Sequence, residues 1–195
     1  MTEAAASLAG DIRGAGSGLV RLMRFDPNWA NGFDASFAGF VRSFAGQALA
    51  LPPYLMVVAI LAHVDPPGAA RPANYLWAAT AAQVLNALAY PIVIALAARV
   101  FRFGQGFGAF IVVTNWAQLY MNLLLAGAAL FALFGDVGAG VFRFAWLVLL
   151  LGSIFITWRA ARETLTDEIA PIMLTVVLSV GVSAAAEGVA SMLLG

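Results

Sequence analysis

The chain has 195 residues, of which 63% are hydrophobic and only 10% are charged, and its formal net charge is zero. A soluble globular domain carries about 25% charged residues, so this composition excludes a water-soluble fold and indicates a protein of the lipid bilayer. A neutral chain offers no electrostatic reason to bind nucleic acid, and a sequence without cysteine excludes thiol catalysis and thiolate metal sites. All ten basic residues are arginine, and alanine and glycine are abundant. This usage is typical of a GC-rich bacterial coding sequence, and we expect the bacterial inner membrane.

Residues 1–43 are predicted to form a cytoplasmic amphipathic region ahead of a transmembrane domain at 44–195. Five apolar side chains share one face of a helical wheel: Leu8, Ile12, Ala15, Leu19 and Leu22. Three cationic ones share the opposite face: Arg13, Arg21 and Arg24. This pattern predicts a helix lying on anionic lipid. The glycines at 14, 16 and 18 each cost about 1 kcal/mol in a helix, so a disordered tail ahead of a short helix is the alternative.

A second amphipathic helix is predicted to begin at Asp26 and Pro27, because Asp is a good N-cap and Pro is tolerated at the first helical position. Aromatic side chains follow at three- and four-residue spacing: Trp29, Phe33, Phe37, Phe40 and Phe44. Two interpretations remain open. The helix is half-sunk in the cytoplasmic leaflet, or the aromatic side chains pack on the bundle.

Five hydrophobic stretches are each near or above the roughly 20 residues that a helix needs to cross the hydrocarbon core. They are 44–64, 75–98, 107–134, 141–158 and 169–194. Segment 135–140 is predicted to be a tight turn between the third and fourth, and 159–168 a solvated turn. Pro52, Pro53 and Pro91 interrupt the first two stretches and favour kinks there. The predicted fold is therefore an all-α bundle of five transmembrane helices.

The arginines predict the orientation of the bundle. Eight of them fall on one side of the five spans, and two, Arg71 and Arg143, fall on the other. Since cytoplasmic loops carry the excess of basic residues, the N-terminus is predicted to be cytoplasmic and the C-terminus exterior.

Two stripes of polar side chains cross the second and third spans at matching spacing. The first consists of Gln83, Asn86 and Tyr90, and the second of Asn115, Gln118 and Asn122. Amides in a membrane seek hydrogen-bond partners on facing helices, so the favoured interpretation is that the stripes lock these two helices together. The alternative is a polar pathway for a small solute.

A third stripe runs along the last span as Thr175, Ser179, Ser183, Glu187 and Ser191. Its hydroxyls are expected to bond their own backbone one turn earlier. Its small residues suit close crossing of another helix.

Glu187 is the only acidic residue well inside a span, so it is predicted to be protonated, paired or facing water. Arg143 is its expected partner, with His63 and Arg71 as alternatives. The competing interpretation is that Glu187 is a passive polar anchor.

The layout resembles the Yip family of membrane proteins, which have a cytoplasmic N-terminal region, five closely spaced helices and an exterior C-terminus. The likeness covers residues 25–194 and lies in the FDP at 25–27, the proline-bearing first span, and the segments 75–91 and 156–179. The tyrosine- and glycine-bearing motifs of the eukaryotic members are absent here. The resemblance implies membrane organisation or protein interaction, and it transfers no functional residue.

The leading hypothesis is therefore a non-enzymatic, Yip-like membrane-organising or protein-interaction role. The alternative is a small transporter or channel subunit that uses the polar stripes and Glu187. A membrane enzyme ranks third, because the sequence offers no nucleophile–base pair, metal-ligand cluster or phosphate loop. No cofactor is predicted. The expected partners are the lipid bilayer and either a second copy of the chain or another membrane protein.

Overall fold

A computed structural model describes residues 2–64, 72–104 and 106–192, and these residues are mostly helical and contain no strand. Six α-helices follow in chain order: α1 (Thr2–Met23), α2 (Phe37–Val64), α3 (Pro72–Val100), α4 (Phe107–Ala129), α5 (Gly135–Thr164) and α6 (Ile169–Met192). The predicted all-α class is confirmed.

Four helical stretches in the described part of the chain are long and apolar enough to cross a membrane. They are Phe37–Val64, Asn74–Val100, Phe107–Thr164 and Ile169–Met192, with mean hydropathy between 1.8 and 2.1. The third stretch is 58 residues long and contains both α4 and α5. These stretches identify the chain as a membrane-embedded protein, in agreement with its composition.

The predicted turn at 135–140 is wrong, because these residues form the first turns of α5. The reversal lies in a short 3-10 helix, Leu130–Phe134, and at Gly135, whose φ of 72° favours glycine. Gly138 then lies so close to Phe131 that a side chain there would overlap the Phe131 carbonyl. Further along the two helices, Gly152 of α5 faces Met121 of α4. The two helices therefore pack antiparallel as a tight hairpin.

Helix α1 has the predicted apolar face, but that face packs on protein. Ala15, Leu19 and Leu22 are buried against side chains of α4 and α5. The Tyr120 hydroxyl of α4 donates a hydrogen bond to the carbonyl of Ile12. Helix α1 is therefore docked on the bundle through its apolar face.

The glycines that disfavoured α1 on propensity serve close packing instead. A Cβ on Gly32 would lie 2.5 Å from the Gly14 carbonyl oxygen and 2.6 Å from the Gly18 Cα. A Cβ on Gly16 would lie 2.7 Å from the Tyr120 hydroxyl. Because glycine has no side chain, α1 approaches its neighbours along this face more closely than any other residue type would allow. Tertiary packing therefore overrides the cost of glycine to helix stability.

The segment after α1 is a 3-10 helix, Pro27–Gly32, and not the beginning of a long amphipathic α-helix. Asp26 does cap it, since its carboxylate accepts from the Asn28 backbone N–H at 2.8 Å. Trp29 is buried, and Phe33, Phe40 and Phe44 pack against the same core, whereas Phe37 is exposed. Four of the five aromatic side chains therefore pack on the bundle, as the second of the two interpretations predicts.

An ion-pair cluster ties this N-terminal region to the first long helix. Arg42 of α2 bonds Asp11 of α1 through Nε at 2.7 Å and Asp34 of the connecting segment through Nη2 at 2.6 Å. A single guanidinium thereby holds three successive parts of the chain together, because its donors point in different directions.

Besides the α4–α5 hairpin, the helices of the bundle pair in two main contacts, α2 with α4 and α3 with α6. In the second contact, Ala78 and Ala82 of α3 meet Ala186 and Ala190 of α6 in one buried cluster. Small residues allow close approach, which confirms the expectation for the last span. The helices α2 and α3 continue through their prolines without ending.

Candidate functional site

Polar side chains from α2 to α6 converge on a partly open cavity of about 320 Å³ between the helices. Its polar lining consists of Gln47, Asn86, Tyr90, Thr114, Gln118, Ser153, Thr157, Ser179, Ser183 and Glu187. Among the described residues that line it, Glu187 is the only acidic or basic side chain. Each of the three predicted stripes contributes at least one side chain, so the stripes meet in space although they lie far apart in sequence.

The stripe on α3 is split, because two of its side chains line the cavity and the third is buried outside it. Asn86 and Tyr90 line the cavity. The Ser183 hydroxyl of α6 has two acceptors within reach, the Ser179 carbonyl of its own helix at 3.1 Å and the Asn86 Oδ1 at 3.4 Å. Gln83 lies elsewhere and is 7% exposed, and its side-chain nitrogen has no partner in the described part of the chain. Of the polar stripe, Asn86 alone is seen to bond α6 within the described residues, beside the alanine contact between the two helices.

The stripe on α4 is also split between a helix contact and the cavity. The prediction that these amides bond α3 to α4 is wrong. Asn115 donates to Ser43 at 2.9 Å and accepts from Gln47 at 3.0 Å, while Asn122 donates to the Ala50 carbonyl at 3.2 Å. All three partners lie on α2. Positions seven apart point in nearly the same direction on a helix, whereas the position between them points about 60° away. Gln118 consequently faces the cavity.

The hydroxyls of α6 bond their own backbone, as the sequence predicts. Thr175 donates to the Pro171 carbonyl at 2.9 Å, Ser179 to Val176 at 2.7 Å and Ser191 to Gly188 at 2.7 Å. Their acceptor lone pairs stay free for a further hydrogen bond. Of these three, Ser179 lines this cavity, and its hydroxyl oxygen is placed to accept rather than to donate.

Two buried polar atoms on the cavity wall have no hydrogen-bond partner within the residues that the structure describes. They are the Gln47 Oε1 and the Tyr90 hydroxyl oxygen. Buried polar groups in proteins are nearly always hydrogen-bonded, and an unmade bond costs about 1–3 kcal/mol. Both atoms are almost fully enclosed by protein, so the cavity wall must move before an occupant of the cavity can bond them.

Glu187 and its predicted partner Arg143 face the same space without touching. Both line a second cavity of about 560 Å³, on which Tyr54 and Tyr75 also lie. No nitrogen of Arg143 comes within 4.0 Å of a Glu187 carboxylate oxygen, so the two residues form no ion pair. Of the alternative partners, His63 lies at the end of α2 and Arg71 lies outside the described residues.

The two cavities adjoin, because Glu187 of α6 and Trp146 of α5 line both of them. The smaller cavity reaches into the bundle, and the larger one lies toward the end where α2 and α6 finish and α3 and α5 begin. The carboxylate therefore stands at the junction between an outer and an inner space.

Sequence reasoning missed Arg159, which was expected in a solvated turn. Its side chain is only 6% exposed, and its Nη1 bonds Glu163 at 2.7 Å. The guanidinium carbon lies 4.3 Å from the centroid of the Phe25 ring, a cation–π distance. Phe25 itself has a φ of 60°. Nothing local in the sequence announces this contact, since the partners are far apart along the chain.

Among the residues described, no group of three His, Cys, Asp or Glu side chains is placed to hold a metal ion. Comparison of the chain with protein-family models, curated proteins and solved structures gives no match.

Proposed function

We propose that the protein is a five-span transporter or channel subunit that binds a small polar solute at Glu187. The observation that carries this proposal is the convergence of three polar stripes on one cavity with a single carboxylate at its mouth. Intramembrane ionisable residues mark substrate or ion pathways by default. A carboxylate set among amides and hydroxyls supplies both a charge and neutral hydrogen bonds to a solute.

Five crossings follow if the 58-residue apolar stretch crosses the membrane twice. As one straight helix it would be about 87 Å long, at 1.5 Å per residue, whereas the hydrocarbon core is about 30 Å thick. The antiparallel contact of α4 with α5 supports two crossings in its place. The arginine count then supports a cytoplasmic N-terminus. A reporter fused at Gly195 is expected to be exterior, and cytoplasmic activity there would contradict the topology.

The transport proposal is tested by reconstitution in proteoliposomes. We expect Glu187→Gln to keep the fold and to lower solute flux about tenfold or more, the change that corresponds to 1.4 kcal/mol. Glu168→Gln is the matched control, since Glu168 is exposed and precedes the same helix. Its flux is expected to stay within about twofold of wild type. Equal flux in both variants, or flux no greater than that of empty liposomes, would refute the proposal.

A second candidate is the membrane-organising role that the Yip resemblance implies, in the bacterial inner membrane. Helix α1 favours it, because Arg13, Arg21 and Arg24 are exposed beside the apolar Val20 and Met23. An exposed basic and apolar surface of this kind binds anionic lipid. In the same liposomes, binding or deformation that requires anionic lipid and is lost in Arg13→Gln/Arg21→Gln supports this role. Solute flux without any lipid effect eliminates it.

A further inference from the structure

The two charges that line the outer cavity indicate what kind of solute it takes. We propose that the cavity holds a small zwitterion, whose carboxylate pairs with Arg143 and whose ammonium group pairs with Glu187. This inference depends on the proposed transport function and specifies its substrate class.

The charges of the cavity lining favour a zwitterion over a simple cation or anion. Arg143 on α5 and Glu187 on α6 are both exposed, line the same cavity and do not contact each other. A small cation that is attracted to Glu187 is repelled by Arg143, and a small anion that is attracted to Arg143 is repelled by Glu187. A solute that carries both charges satisfies both groups at once. Arg is suited to the carboxylate end, because its guanidinium donates two parallel hydrogen bonds.

The shape and the remaining lining of the cavity fit such a solute. Its volume of about 560 Å³ lies within the range of roughly 300–1,000 Å³ that is typical of small-molecule sites. Apolar side chains such as Val57, Leu61 and Leu125 make up much of the wall. They offer a surface to a short aliphatic substituent, while the charged ends are held by Arg143 and Glu187.

The position of Glu187 gives the zwitterion a route inward. Because this carboxylate lines both cavities, it holds the ammonium group in either one. In the inner cavity, the Gln118 amide is a donor for the carboxylate end after it leaves Arg143. The order of contact is therefore Arg143 first and the amide-lined cavity second.

The test compares L-alanine with two analogues that keep one charge each, ethylamine and propionate, as competitors of labelled alanine in proteoliposomes. We expect each analogue to bind about tenfold more weakly or worse, since each lacks one of the two charged groups that pair with the protein. Arg143→Gln is expected to lower alanine uptake by a similar factor. Arg162→Gln, at an exposed arginine of α5 outside both cavities, is expected to leave it unchanged.

The charge-swapped double variant Arg143→Glu/Glu187→Arg keeps the result interpretable if a single variant fails to fold. It restores overall neutrality and is expected to recover alanine binding, measured as thermal stabilisation in detergent. Ethylamine or propionate competing as well as alanine overturns the zwitterion inference and leaves the transport function standing. Absence of flux for all three solutes, together with absence of thermal stabilisation, overturns both.

Discussion

The buried amide of Asn115 is predicted to be a principal stabilising contact between α2 and α4. The side chain is 1% exposed, donates to Ser43 at 2.9 Å and accepts from Gln47 at 3.0 Å. In Asn115→Ala both hydrogen bonds are lost. The Gln47 amide is then left without a partner among the described residues, since its oxygen already has none.

The expected loss follows from these contacts. Interhelical hydrogen bonds in membranes average about 0.6 kcal/mol and reach about 1.7, and a buried donor left unsatisfied adds about 1–3 kcal/mol. We therefore expect Asn115→Ala to lower the free energy of unfolding by about 2–3 kcal/mol. The matched control is Thr114→Val, because the Thr114 hydroxyl bonds only carbonyls of its own helix, at 3.0 and 3.2 Å. Its effect is expected to be below about 0.5 kcal/mol.

The measurement is equilibrium unfolding in bicelles, followed by intrinsic tryptophan fluorescence, to which Trp116, buried next to Asn115, contributes. Ser43→Ala completes a double-mutant cycle, in which directly bonded residues are expected to couple by about 0.5 kcal/mol or more. If Asn115→Ala and Thr114→Val destabilise equally, or if the cycle is additive, the amide is not the contact that holds the two helices.

Two further predictions concern the N-terminal region. Gly10→Ala is expected to stabilise α1 by up to about 1 kcal/mol, because nothing lies near the position of its Cβ. Gly14→Ala places a methyl group 2.8 Å from the Gly32 carbonyl oxygen and is expected to undock the helix. The protease sensitivity of α1 distinguishes the two results. Hydrogen bonds from Ser36, and then the Arg42 guanidinium, hold the pKa of Asp34 below its ordinary value of 3.8. Since the folded-state pKa is the lower one, the contribution of Asp34 is fully present above pH 3.8 and is lost as pH falls through the lowered value. Hydrogen-exchange protection of α1 should therefore decrease at low pH in the wild type and be less pH-dependent in Asp34→Asn.

The sequence by itself determined the features that depend on local composition and local hydrogen bonding. The all-helical class, the start of α4 at Phe107, the start of α6 at Ile169 and the N-cap at Asp26 were all predictable. Such features follow from hydropathy over about 20 residues and from side chains that bond a nearby backbone. The hydrogen bonds from the α6 hydroxyls to their own backbone were predictable for the same reason.

Only the tertiary structure decided which faces meet. Asn115 and Gln118 differ little in chemistry, yet one bonds α2 and the other lines the cavity. Likewise, Arg159 is buried while Arg162, one turn later, is exposed. The choice depends on helix crossings set by small residues distant in sequence, such as the alanines between α3 and α6. A pattern along one helix specifies its polar face, but the partner of that face is a property of the assembled bundle.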